Sequence, residues 1–128
     1  PYYELVACGV PHRQARTIQQ VAFHARRLEE AAEQGVEAFT KILSAIPGIG
    51  PWTIGYLHGS ALAVADAIVP GDYNLPHTLA WVLAGEARAE EKRMLELLEA
   101  YRGHRFRVIR LVWMKGAKPP RRGPPGAS

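Results

Sequence analysis

Ile46-Pro47-Gly48-Ile49-Gly50-Pro51-Trp52-Thr53 separates two apolar segments of helical spacing. Upstream, Phe39, Ile42, Leu43 and Ile46 form one stripe and predict a helix over about residues 36–45. Downstream, Pro51 suits a first helical turn, where its missing N–H leaves no bond unmade, and a helix bearing Trp52, Tyr56 and Leu57 is expected to run to about residue 62 or 64. Between them, Pro-Gly-Ile-Gly-Pro calls for a tight turn in which the glycines take conformations barred to other residues. Such a turn offers backbone N–H groups at the positive end of the next helix. That is a seat for a phosphate, and it reads no sequence. Ile49 is expected to plug the turn onto the core, with Gly48 and Gly50 facing the ligand. Gly-Ile-Gly alone signals only a turn; the longer string, flanked by helices, says more.

Working outward, nearly every segment keeps helical rather than alternating spacing, so an all-α fold is expected. Ala15, Ile18, Ala22, Ala25 and Leu28 predict one helix from Pro11 to a stop at Gly35. Residues 65–75, with Pro70, Gly71 and Asn74, read as a loop. Further helices are expected over about 76–83, 90–101 and 105–115, with Trp81 in the core. Residues 1–116 then make one helical domain. The Pro/Gly/Arg tail, 117–128, is expected to be flexible. The opening Pro-Tyr-Tyr-Glu-Leu-Val-Ala reads as the end of a helix, which suggests an N-terminally incomplete piece of a larger protein.

Composition narrows the chemistry. A chain of 128 residues, 48% hydrophobic, supports one core. Its single cysteine, Cys8, excludes an internal disulfide and a four-thiolate zinc or iron–sulfur site made from this chain alone. No apolar run reaches the roughly 20 residues of a membrane helix, and a cytoplasmic location, nucleoid-associated in a bacterium, is expected. Net charge is +4, but all 12 acidic residues lie at or before Glu99. The 29 residues beyond it carry eight Lys and Arg and no acid, either a polyanion-binding face or a solvated helix with a tail. The histidines His12, His24, His58, His77 and His104 are scattered singly, with no metal-ligand spacing.

With these motifs in place, residues 46–57 resemble the helix-hairpin-helix of the DNA glycosylase superfamily. Val69-Pro70-Gly71-Asp72 is similar to the Gly/Pro-rich loop and aspartate that complete its signature. The closest resemblance is to the 3-methyladenine DNA glycosylase branch, over all but the proline-rich tail. The resemblance implies part of a larger two-part glycosylase fold acting on double-stranded DNA with a damaged base, as a monomer. It implies Asp72 as the catalytic residue and Trp52, Tyr56 and Trp113 as the base pocket. Gly48, Ile49, Gly50, Thr53 and Arg105 would contact the DNA backbone. No cofactor is implied, although a monovalent cation at the hairpin is compatible with it. Where lyase-type relatives carry a lysine, this chain has Trp52, which implies hydrolysis without strand cleavage. Ile54 and Gly55 depart from the family pattern, in which the first is commonly alanine.

The residues make chemical sense of this resemblance. Expelling a base from deoxyribose passes through a cation-like sugar, so a nearby carboxylate and a water are needed. Asp72 in its Pro-Gly loop fits that need; it equally fits a turn or helix cap. Asp66 reads as structural. Trp52 and Tyr56, four apart on one helix, are either core or a stacking surface for a flipped base. Cationic alkylated purines suit electron-rich rings and leave as neutral bases without a strong general acid. Thr53 either donates its hydroxyl to the backbone or bonds within its own turn. The competing reading is a non-catalytic helix-hairpin-helix module that only grips DNA.

Overall fold

A computed structural model describes residues 1–120, and all of their regular structure is helical. The expectation for 121–128 lies outside the described residues. The chain divides into two compact units, Pro1–Ala63 and one that begins at Val64. Each builds its own core, where a single one was expected.

The first unit holds α1 (Tyr2–Ala7), α2 (His12–Phe23), α3 (Ala25–Gln34), α4 (Val36–Ser44) and α5 (Pro51–Ser60). The helix expected across 11–35 is two helices, broken at His24 with φ −95° and ψ 7°. Helical geometry supplies the reason. At 3.6 residues per turn, Ala15 and Leu28 would sit about 140° apart on one straight helix. Both are buried, so the axis has to bend for α2 and α3 each to turn an apolar face inward. The break is cheap in hydrogen bonds: the His24 N–H still reaches Gln20 and Val21, and the Leu28 N–H reaches the His24 carbonyl. α3 packs on α4 around Leu28, Phe39, Leu43 and Ile46. Ile49, Ile54, Leu57 and Leu62 close over that cluster from the turn and from α5.

The second unit starts with a loop, 64–74, followed by α6 (Leu75–Ala84), α7 (Glu91–Glu99) and α8 (Arg105–Lys115). Its core joins Leu75, Leu79, Met94, Leu98, Phe106 and Ile109 to two residues of the loop itself, Ala67 and Val69. Val69 has no exposed surface, so the loop is part of the core rather than a strap across it. A loop buried in this way must pair its backbone groups. One such bond runs from the Phe106 N–H to the Ala65 carbonyl at 3.0 Å. Trp81, expected in the core, is only half-buried.

Candidate functional site

The turn between α4 and α5 is fixed by a side chain that local sequence does not announce. Gly48 has φ +92°, and a Cβ added there would fall on the hydroxyl of Thr17 in α2. That hydroxyl donates to the carbonyls of Pro47 at 3.0 Å and Arg13 at 3.1 Å. Glycine at 48 is therefore demanded twice, by its left-handed backbone and by the closeness of α2. Gly50 differs from expectation: φ −118° and ψ −179° is extended backbone that any residue adopts. Nothing lies within 4 Å of where its Cβ would stand. The fold does not require glycine at 50. Its effect is to leave open the approach to the first turn of α5, where helix N–H groups lack intrahelical acceptors.

α5 is held to α4 by a second polar contact. The Thr40 hydroxyl donates to the Val36 carbonyl at 2.7 Å, and His58 Nε2 lies 2.7 Å from the same oxygen. Because that hydroxyl has already spent its one proton, His58 donates, and its Nε2 carries hydrogen. On another side of α5, Trp52 and Tyr56 stack in parallel, with ring centroids 5.4 Å apart and planes within 2°. They are 41% and 38% exposed, which excludes the reading in which both are core residues of this unit. Ile49 packs into the cluster beneath the turn, and Thr53 is half-buried in the first turn of α5.

In the second unit the 64–74 loop is tied down by carboxylates. Asp72 Oδ1 accepts the N–H groups of Asn74 and Leu75, each at 2.8 Å, and so caps the start of α6. The Gly71 N–H donates to Glu91 Oε2 at 3.1 Å, joining the loop to α7. Asp66 binds the start of α8: Oδ1 accepts the Gly103 N–H at 2.7 Å, and the two oxygens take Nε and Nη2 of Arg105 at 2.8 and 2.6 Å. Hydrogen bonding from Arg105 holds the Asp66 carboxyl well below the usual carboxylate range, despite an opposing desolvation, and the same pair pushes the Arg105 pKa up. Asp66 is structural, as the sequence indicated. Arg105, expected on a phosphate, has two of its nitrogens committed to this pair instead.

Trp52, Tyr56, Thr53 and the glycines thus belong to the first unit, and Asp72, Trp113 and Arg105 to the second. Trp113 is half-buried against the second core. Of the basic C-terminal residues, Arg102 is paired with Glu99 at 2.7 Å and Arg107 donates to His104 Nδ1 at 2.7 Å. Arg110, Lys115 and Lys118 are exposed. Sequence reading missed Thr17, Glu91 and the Thr40–His58 contact, whose partners are 18 or more positions away and leave no local pattern. Among the described residues no group of three or more His, Cys, Asp or Glu side chains is arranged to hold a metal ion, and no helix is long and apolar enough to cross a membrane. Comparison of the chain with protein-family models, curated proteins and solved structures gives no match.

Proposed function

We propose that the chain is the catalytic portion of a monofunctional DNA glycosylase that removes alkylated, 3-methyladenine-type bases from duplex DNA. The observation that carries the reading is the Trp52–Tyr56 stack: two parallel rings, left substantially exposed, on the helix that the Gly48-Ile49-Gly50 turn opens. A purely structural pair would be buried. Flat exposed rings beside an anion-suited helix start match a flipped base and its phosphates, and an alkylated base adds a cation–π attraction.

In this reading the first unit supplies the phosphate seat and the rings, and the second supplies the carboxylate. The C1′–N bond breaks with its electron pair leaving on the base, which neutralises a cationic lesion. Asp72 stabilises the positive sugar, and water adds at C1′ and gives up a proton. Asp72 is suited to this because the start of α6 holds its carboxylate in one position, so little reorganisation is needed as charge develops. With Trp52 in place of a lysine, the backbone stays uncut.

One observation favours the second reading, a module that grips DNA without chemistry: capping α6 already accounts for Asp72. The two are separated by incubating the chain with duplex DNA containing 3-methyladenine or 7-methylguanine and following free base and strand nicks. The glycosylase reading predicts base release without nicking until alkali is added. Binding that weakens steeply with salt, with no base released, supports the gripping module instead.

A further inference from the structure

A cleft of about 940 Å³ lies wholly within the second unit, beyond the Asp72 cap, lined by Tyr73, Asn74, His77, Arg88, Glu90 and Lys92 among others. Its size falls in the range of roughly 300–1,000 Å³ typical of small-molecule sites. We propose that this cleft binds one nucleotide unit, with its base against Tyr73 and its phosphate between Arg88 and Lys92. The inference does not depend on the glycosylase reading.

Tyr73 is 83% exposed, so packing does not explain a large aromatic there. Its ring stands edge to face on His77, with centroids 5.9 Å apart and planes at 85°. His77 is itself fixed, because Nδ1 accepts the Ala89 N–H at 3.2 Å, which puts the proton of the neutral ring on Nε2. The tyrosine is thereby braced at its edge while its surface stays open, the arrangement a stacking base requires. Asn74 adds an amide with both donor and acceptor character, suited to a base edge.

The charges sort in the same direction. Arg93, on the cleft wall, is spent on Glu86 at 2.7 Å and Glu96 at 3.2 Å, so those three groups balance locally. Arg88 and Lys92 have no ion-pair partner among the described residues, and neither does the acid Glu90. The uncompensated charge is two cations against one carboxylate, an excess that favours an anion of phosphate type.

The nucleotide could be free or part of a strand, and the test separates the two. The ¹⁵N-labelled full chain is titrated with dAMP, deoxyadenosine, inorganic phosphate and a short single-stranded oligodeoxyadenylate, following the amides of Tyr73, Asn74 and Ala89. The account predicts that dAMP shifts these amides and binds about tenfold more tightly than deoxyadenosine or phosphate alone. Tighter binding of the oligonucleotide than of dAMP identifies a strand as the occupant; equal or weaker binding identifies the free nucleotide. Arg88→Ala with Lys92→Ala is expected to weaken dAMP about tenfold, and Glu90→Gln to tighten it about threefold by removing a like charge. No shift with dAMP or the oligonucleotide, phosphate binding as tightly as dAMP, or weaker binding in Glu90→Gln overturns the proposal. Base release is measured on the same preparation. If that fails while the amides respond, only the glycosylase reading is lost.

Discussion

The 45–50 turn and the 64–74 loop both run through proline and glycine, yet opposite means hold them. The turn is fixed sterically: Gly48 fits against Thr17 with no room for a Cβ, and Ile49 sits in the cluster below. The loop is fixed by charge and burial, with Asp66 on Arg105 and Gly103, Glu91 on Gly71, Asp72 on the start of α6, and Val69 in the core. A glycine motif and an acidic motif thus each divide into one residue that builds the fold and one that the fold leaves available. Gly48 and Asp66 build. Gly50 is not required by its backbone, and Asp72 caps a helix that asparagine would cap as well.

If the turn is held sterically, Gly48→Ala should be the most damaging of the substitutions considered. The left-handed backbone and the collision with Thr17 together predict a loss of about 3 kcal/mol in denaturant unfolding. Thr17→Ala, by itself worth about 1 kcal/mol, should make the second substitution less harmful than the sum of the two. Strict additivity would mean that α2 does not brace the turn.

In the loop, Asp72→Ala is expected to cost about 1 kcal/mol through loss of the α6 cap, and Asp72→Asn close to nothing. Equal losses for the two variants would remove the cap from the account. The Asp66 contribution should show itself in acid. Its pKa is depressed in the folded chain, so the unfolded chain takes up the proton first as pH falls. The stabilisation is complete above the ordinary carboxylate value of about 4 and declines progressively below it. Thermal melts of the parent should therefore lose stability between about pH 4 and pH 2 more steeply than melts of Asp66→Asn. Parallel pH profiles would contradict the pair.

Smallest in stability is Gly50→Ala, expected within about 0.5 kcal/mol of the parent. Under the proposed function it nonetheless weakens DNA binding, because a methyl group then stands at the start of α5. Unchanged affinity would show that phosphate does not approach there.

What sequence could and could not reveal follows the same division. The turn was legible because its determinants are contiguous: Pro47, Gly48, Gly50 and Pro51 stop and restart a helix within a few residues. The bend at His24 was hidden because spacings of three and four look continuous while the stripe drifts around the helix. Residues 65–75 were recognisable as irregular, but Pro and Gly say nothing about Val69 reaching the core. Arg105 was misplaced onto DNA because its partner Asp66 lies 39 positions away. At Asp72 both roles were visible; the structure displays the cap, and only chemistry tests the other.

That test is the rate of base release by Asp72→Asn on duplex DNA carrying 3-methyladenine or 7-methylguanine. The substitution preserves the cap while removing the charge, so a change in rate cannot be traced to a damaged α6. The account predicts a fall of about a hundredfold or more, with an unchanged unfolding midpoint. Release at the parental rate would contradict it.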